Sequence, residues 1–172
     1  MIGYRAATAA DAALVADLCR RSFVETFGHL YSPEDLAAFL AGLSEAAWHG
    51  ELSDPAYQVR LAETGGEAVA YAKLGPVSLP VAPDGPALEL RQLYVLKPWQ
   101  GAGIADALMA WLLAQAKARE ARELYLSVWT GNHRARRFYD RHGFAYVGPY
   151  TFMVGSQADE DEIMRLRLDG AQ

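Results

Sequence analysis

The chain has 172 residues, of which 52% are hydrophobic and 22% are charged, and its formal net charge is −5. This length and composition predict a single globular domain over residues 1–172, with a substantial core. An acidic chain of this kind is not expected to bind nucleic acid, which needs a basic face. No apolar run approaches a membrane span, and the first residues lack the layout of a secretory signal, so we expect a cytoplasmic protein without a membrane partner.

The first predicted elements are a short strand and a helix. Residues 2–6 form the strand, and Thr8 is expected to cap a helix over residues 9–23. The inner face of that helix is predicted to carry apolar residues at helical spacing: Leu14, Leu18 and Cys19. Cys19 is the only cysteine, so a disulfide within the chain is excluded.

Two further helix starts follow an aromatic-rich loop at residues 25–31. Ser32 and Pro33 combine an N-cap residue with the proline that is common in a first helical turn. Ser44 is a second N-cap candidate, for a short helix that contains Trp48. The N-terminal third is therefore predicted to be mainly helical.

The middle of the chain is typical of a hairpin followed by a central strand. Residues 56–61 alternate as a strand, and a glycine-containing turn at residues 63–67 joins them to a partner strand at residues 68–74. A loop rich in proline and glycine, at residues 80–86, precedes the central strand at residues 88–95.

A glycine loop leads from the central strand into the next helix. Pro98 ends the strand because it has no N–H for a sheet, and Gly101 and Gly103 precede a helix from about residue 103 to residue 119. Such a loop leaves backbone N–H groups at a helix N-terminus, where the helix dipole also favours phosphate. Glycine has no Cβ, so a phosphate can approach the backbone closely.

The C-terminal third is predicted to alternate between strands and a helix. A strand at residues 123–128, buried on both faces, precedes a helix over about residues 132–141. The last two strands are expected at residues 144–150 and 163–168, with the acidic segment 159–162 between them. This order predicts an α/β (α+β) fold with a mixed, mostly antiparallel sheet flanked by helices.

Three classes of phosphate-binding loop can be compared with the glycine loop. A P-loop needs Gly, four residues, Gly, and then Lys and Ser or Thr, which this stretch lacks. A dinucleotide fingerprint needs a third glycine, but that position is Asp106, whose carboxylate would repel a pyrophosphate. Residues 100–105 instead resemble the Gln/Arg-x-x-Gly-x-Gly/Ala signature of the GNAT N-acetyltransferases, which cradles the pyrophosphate of acetyl-coenzyme A (acetyl-CoA).

A second motif resembles the same family. Residues 132–144 match the GNAT pattern Asn-x-x-Ala-x-x-Phe-Tyr-x-x-x-Gly-Phe, with Asn132, Tyr139 and Gly143 among the matched positions. The segment follows the strand after the predicted coenzyme helix, as it does in that family. The chain is thus identified as a GNAT member, which implies the GNAT fold with a coenzyme-binding cleft over essentially residues 1–169.

The resemblance implies acetyl-CoA as cosubstrate and no metal. The residues that would hold it belong to the central strand, the glycine loop and the second motif: Leu93, Tyr94, Val95, Gln100, Gly101, Ala102, Gly103, Ile104, Ala105, Asn132 and Tyr139. Arginines of the second motif could meet the 3′-phosphate of the coenzyme or form a solvated helix face: Arg134, Arg136 and Arg137.

The resemblance also implies two proton transfers. Tyr139 would protonate the coenzyme thiolate, since a phenol with a pKa of about 10 stays protonated at neutral pH, although a core aromatic is the alternative. Glu89 would help to deprotonate the acceptor, and the even period of a strand would place it on one face with Leu93 and Val95. An ion pair with Arg91 is the alternative role for Glu89. Other candidate bases are His29, His133 and His142.

The acceptor is predicted to be a small-molecule amine. The early aromatic region and the acidic tail are similar to those of bacterial polyamine (spermidine-type) N-acetyltransferases. The candidate substrate-binding residues are Glu25, Phe27 and Tyr31. A protein N-terminus is the alternative acceptor, and a non-catalytic acyl-CoA sensor is the alternative function. A homodimer is an open alternative for the assembly.

Overall fold

The structure is a computed structural model that describes residues 1–168. Its strands are β1 Gly3–Ala6, β2 Gln58–Thr64, β3 Glu67–Gly75, β4 Ala87–Val95, β5 Glu123–Trp129, β6 Ala145–Val154 and β7 Gln157–Arg167. Its helices are α1 Ala12–Phe27, α2 Pro33–Ala41, α3 Glu45–Leu52, α4 Ile104–Ala118 and α5 His133–Arg141. Within the described part, no helix combines the length and apolar character needed to cross a membrane.

The described strands form one seven-stranded sheet in the order β1-β2-β3-β4-β5-β7-β6. Every neighbouring pair is antiparallel except β4 and β5, which are parallel. A parallel pair needs a crossover connection, and α4 supplies it. The predicted α/β fold with a mixed, mostly antiparallel sheet is confirmed.

Helices cover both faces of the sheet. On one face, α4 buries Leu108 and Leu112 within the largest apolar cluster. On the other face, α1 buries Val15 and Leu18 in a second cluster that includes Trp48 of α3. Burial of one such side chain contributes roughly 1.5–3 kcal/mol, so the two layers hold the central strands firmly in position.

Three of the polar residues predicted to start helices do so, whereas Thr8 precedes a 3-10 turn at Ala9–Asp11 and α1 begins only at Ala12. The side chains of Ser32, Ser44 and Asn132 each accept a hydrogen bond from the backbone N–H three residues later, at 3.1, 3.1 and 3.2 Å. Each bond satisfies one of the backbone donors that a helix N-terminus leaves unpaired. These caps depend on neighbours in sequence, which is why the sequence alone could predict them.

The first helix differs from its predicted extent. α1 continues to Phe27, so residues 25–27 are helical rather than part of a loop. Leu14 is 37% exposed, whereas Val15 and Cys19 are buried, so the prediction that Leu14 lies on the inner face was wrong. Successive helical residues turn by about 100°, and tertiary packing selected the neighbouring stripe.

The acidic segment is not a connection between strands, as was predicted, but part of β7. Residues 159–162 pair with β6, and Asp161 and Glu162 also pair with β5 on the other side. Side chains alternate along a strand, so Asp159 and Asp161 share one face while Glu160 and Glu162 share the other. An acid at inward positions removes the usual apolar alternation, and the strand was therefore predicted to start too late.

A β-bulge at Arg91 interrupts the even period of β4. Lys73 of β3 lies opposite Gln92, but the next residue of β3, Leu74, lies opposite Leu90. The extra residue shifts the alternation, so the face of the strand that holds Glu89 does not continue to Leu93. The prediction that Glu89 shares a face with Leu93 and Val95 was therefore wrong.

We predict that Gly155→Ala destabilises the protein far more than Gly65→Ala. Both glycines have a φ of +57°, which strains any L side chain, but a Cβ at Gly155 would lie 2.6 Å from the Cα of Asp35 while one at Gly65 would meet nothing within 4 Å. Gly65→Ala should cost about 1 kcal/mol and Gly155→Ala roughly 2–4 kcal/mol in urea unfolding. Equal losses would show that the approach of Asp35 to this turn is unimportant.

Candidate active site

The pairing between β4 and β5 ends early. Only Ala87–Glu89 pair with Glu123–Tyr125, although β4 continues to Val95 and β5 continues to Trp129. Beyond the last pair the two strands are not bonded to each other, and a gap opens in the sheet. A cavity of about 660 Å³ occupies this gap and its surroundings, a size typical of small-molecule sites.

The start of α4 forms one end of this cleft. Gly103 is the N-cap, with a φ of +80°, and it gives the helix no side-chain cap. Gly101 has a φ of +83°, and a Cβ on either glycine would meet no atom within 4 Å. The first backbone N–H groups of α4 therefore stay open at the positive end of the helix dipole, which suits an anion.

Gln100 fixes the approach to that helix. Its side-chain amide donates to the carbonyl of Val95 at 2.9 Å, and its Oε1 accepts from Nη1 of Arg134 at 2.8 Å. The two bonds tie the end of β4 to the first turn of α5 across the cleft. Gln100 thus positions the glycine loop through its side chain, a role that the motif alone did not indicate.

The wall formed by α5 carries a phenol and several cations. Tyr139 is 8% exposed, lines the cleft, and has no hydrogen-bond partner for its hydroxyl within residues 1–168. Burial raises the pKa of Tyr139 above its ordinary value, so the phenol stays protonated across the physiological range. Arg134, Arg137 and Arg141 also line the cleft and give this wall a positive charge.

Asp106 is the one acid in the first turn of α4. Its carboxylate lies 3.0 Å from Nε2 of His142, and its side chain is 65% exposed. A protonated His142 would offset the charge of Asp106, which otherwise opposes the binding of an anion at this helix end. His142, at the C-terminal end of α5, thus connects that helix to the first turn of α4.

The opposite end of the cleft is aromatic and acidic. Phe27, Tyr31 and Asp159 line it, and the hydroxyl of Tyr31 donates to Oδ2 of Asp159. The other oxygen of Asp159 accepts from the side-chain amide of Gln157 at 2.9 Å. Burial, together with the bond to Asp159, raises the pKa of Tyr31, so this phenol remains a donor.

Asp161 lies beside Asp159 and was not singled out from the sequence. It lines the cleft, is 8% exposed, and has no hydrogen-bond or ion-pair partner within residues 1–168. Burial, and then the charge of Asp159, raises the pKa of Asp161 to about 7. The carboxyl group can therefore gain or lose a proton near neutral pH.

Most of the predicted coenzyme residues reach the cleft. The cleft lining includes Leu93, Tyr94, Val95, Gln100, Gly101, Gly103, Ile104, Ala105, Asn132 and Tyr139. Ala102 is not part of that lining, although it belongs to the same loop. Among the predicted acceptor residues, Phe27 and Tyr31 line the cleft, whereas Glu25 accepts a hydrogen bond from the backbone N–H of Lys97 outside it.

Glu89 lies apart from the cleft lining. Its carboxylate accepts hydrogen bonds from the backbone N–H of Ser78 at 2.7 Å and from the Ser78 hydroxyl at 3.1 Å. A guanidinium nitrogen of Arg91 is 3.9 Å away, which matches the ion-pair alternative. The role of Glu89 as a base stays a prediction, and His29, another candidate base, is exposed.

Within residues 1–168, no group of three or more His, Cys, Asp or Glu side chains is arranged to hold a metal ion.

Comparisons with known proteins agree with this geometry. Residues 16–144 match the model of the acetyltransferase (GNAT) family. An uncharacterised N-acetyltransferase of Mycobacterium tuberculosis is 35% identical over 155 residues, which cover 90% of this chain and 96% of that protein.

Two solved structures illustrate the similarity in fold. The PaiA N-acetyltransferase of Thermoplasma acidophilum, in complex with coenzyme A, has a TM-score of 0.76 at 18% identity, covering 97% of this chain and 99% of that one. The YncA protein of Salmonella typhimurium, solved with its cofactor acetyl-CoA, has a TM-score of 0.68 at 20% identity, covering 100% and 96%.

Proposed function

This chain belongs to the acetyltransferase (GNAT) family, and we propose that it transfers the acetyl group of acetyl-CoA to a primary amine of a small molecule of the polyamine class. The coarser activity, that of an acetyl-CoA-dependent N-acetyltransferase, follows from the family. The main support for a cationic, polyamine-like acceptor is that one cleft includes both the open start of α4 and the acids Asp159 and Asp161. Residues 1–172 would act as one domain, because helices from both halves of the chain cover the same sheet.

The start of α4 would bind the pyrophosphate of the coenzyme. Backbone N–H groups from Gly101 to Ala105 lie at the uncapped helix end, and no side chain of the loop glycines blocks them. Arg134 and Arg137 add positive charge on the facing helix, where the remaining phosphate could bind. Asn132 lines the same region but uses Oδ1 as the cap of α5.

The gap between β4 and β5 would take the extended arm of the coenzyme. Main-chain groups of β4 beyond Glu89 have no partner in β5, so an extended chain could pair with Leu93 and Val95 like an added strand. A backbone N–H there would stabilise the negative charge that develops on the carbonyl oxygen during acyl transfer. The cosubstrate supplies the acetyl thioester, and the protein positions it and moves protons.

Tyr139 would supply the proton for the departing thiolate. Its hydroxyl borders the cleft without a protein partner, and its buried phenol is protonated at working pH. A general acid in this position assists cleavage of the bond between carbon and sulfur. A merely structural tyrosine of this burial is expected to bond to a protein acceptor.

The acidic end would receive the amine. Ammonium groups are attracted both to carboxylates and to the faces of aromatic rings, and this end of the cleft offers both kinds of group. The negative charge of Asp159 and Asp161 would draw the amine into this end of the cleft, from which it reaches the thioester. The direct test is a thiol-release assay with acetyl-CoA against polyamines, amino acids, aminoglycosides and short peptides. Turnover confined to peptides would overturn the proposed acceptor class and leave the family activity intact.

We predict that Gly103→Asp abolishes the rise in melting temperature that coenzyme A causes in the wild type. The new carboxylate would lie at the anion site and repel the pyrophosphate. Gly66→Asp is the matched control, because Gly66 has a φ of +81° and equally open surroundings in the β2–β3 turn. The control should lower the melting temperature without ligand but keep the ligand-induced rise. If Gly103→Asp also keeps the full rise, the pyrophosphate site is elsewhere.

We predict that Tyr139→Phe lowers turnover by about 10²–10⁴-fold with little change in coenzyme affinity. Phenylalanine retains the ring and its packing against Phe138 and Phe144 but removes the proton donor. Steady-state kinetics with a good acceptor and calorimetric titration with coenzyme A measure the two effects. Tyr146→Phe, at a 60% exposed position, is the control. Wild-type turnover in Tyr139→Phe would reduce Tyr139 to a packing residue.

A further inference from the structure

We propose that Asp161 is the base that takes the proton from the acceptor ammonium, an inference that rests on the proposed function. The strand β7 places Asp161 opposite Trp129 of β5 and Tyr150 of β6. Trp129 is the last residue of β5, beyond the stretch that pairs with β4, and both Trp129 and Asp161 line the cleft. The Asp161 carboxylate also lies near enough to Tyr94 of β4 for the two groups to interact electrostatically, which places it beside the end of that strand.

Asp161 is distinguished from Asp159 by its lack of partners. Both oxygens of Asp159 are engaged, one by the Tyr31 hydroxyl and the other by Gln157. Asp161 is equally buried but has no hydrogen-bond or ion-pair partner among residues 1–168. A buried carboxylate without a partner is unfavourable, so it favours either a proton or a cation from the cleft. An ammonium group offers both.

Burial and the charge of Asp159 give Asp161 a proton affinity that suits a general base at neutral pH. The titratable groups around it are Asp159 on the same strand, Tyr31 after α1, Tyr94 on β4 and Tyr150 on β6. The charge of Asp159 adds to the effect of burial, and together they raise the pKa of Asp161 to about 7. A base with this affinity is ionised above pH 7 and accepts protons readily.

Glu89, the base predicted from the sequence, differs from Asp161 in its hydrogen-bond partners and in its position relative to the cleft. Its carboxylate is held by two hydrogen bonds from Ser78 and lies near the Arg91 guanidinium. It is also outside the cleft lining, so a proton would have to travel through intervening groups to reach it. Asp161 needs no such relay.

The protons balance as follows. The ammonium gives one proton to the Asp161 carboxylate, and the free amine nitrogen then bonds to the thioester carbon. The bond between carbon and sulfur breaks, and the sulfur takes the proton of Tyr139. The nitrogen loses its second proton as the amide forms, which restores the Tyr139 phenol through water. Asp161 releases its own proton to solvent before the next turnover.

The test compares Asp161→Asn with the wild type across pH 6 to 10 on the best acceptor. The wild type should show an acidic limb in kcat/KM with a midpoint near pH 7. Asp161→Asn should lose that limb, fall by about 10²-fold or more near pH 7, and recover partly at high pH, where the amine is already neutral. Glu160→Gln is the matched control, since this exposed acid lies next in β7 on the opposite face, and it should keep the wild-type profile.

The pH profile of Asp159→Asn distinguishes a catalytic Asp161 from a merely structural one. Removing the neighbouring negative charge should move the acidic limb of kcat/KM to lower pH. An intact coenzyme-induced rise in melting temperature shows that each variant is folded. The inference fails if Asp161→Asn keeps the limb, or if the limb disappears in Glu89→Gln instead. A wild type that acetylates no amine overturns the proposed function itself, whereas an active wild type with an unaffected Asp161→Asn overturns only the role of Asp161.

The thermal stability of Asp161→Asn provides a second test, which does not depend on activity. Asp161 has a higher pKa in the folded protein than the ordinary value of 3.8, so the folded state binds more protons between about pH 4 and about pH 7. Stability therefore falls as pH rises through this window. Asp161→Asn should melt at a higher temperature than the wild type at pH 8, and the difference should shrink toward pH 4. An unchanged melting curve at pH 8 would mean that Asp161 is not a buried charge.

Discussion

The separation of β4 from β5 is the constraint on which the rest of the site depends. Three residue pairs join the two strands, and both strands then continue without hydrogen bonds to each other. Backbone N–H and C=O groups need hydrogen-bond partners. The groups that line this gap can therefore bind a ligand that has its own donors and acceptors. Apolar clusters pack on both faces of the sheet, and Gln100 connects the end of β4 to α5, the helix that follows β5.

The cleft is electrically asymmetric. Its α4 end presents open N–H groups and the cations of α5, whereas its far end presents Asp159 and Asp161 among aromatic rings. Under the proposed function, the anionic cosubstrate and the cationic acceptor would be directed to opposite ends and would meet near the tip of β4. This arrangement gives an acidic protein a local attraction for a highly negative ligand despite its net charge of −5.

The sequence predicted what depends on neighbours along the chain. The caps Ser32, Ser44 and Asn132 and the glycine loop before α4 are local patterns, and the structure has them. The bulge at Arg91 depends on pairing with β3, and no residue type in the local sequence predicts it. Asp161 was not singled out for a related reason, since its importance arises from burial beside Asp159 and from pairing with the end of β5, neither of which a one-dimensional pattern contains.

The hairpin of β6 and β7 is anchored to α2 through Asp35, which accepts hydrogen bonds from the backbone N–H and hydroxyl of Ser156 at 2.7 and 2.8 Å. The acids at 159 and 161 therefore sit on a scaffold whose support is independent of the glycine loop. Under the proposed function, changes at Asp159 would alter which amine binds without disturbing the coenzyme end, whereas Asp161 would be retained for removal of the proton. In evolutionary terms, the hairpin would then be a region where new acceptor preferences arise while the acetyl donor stays the same.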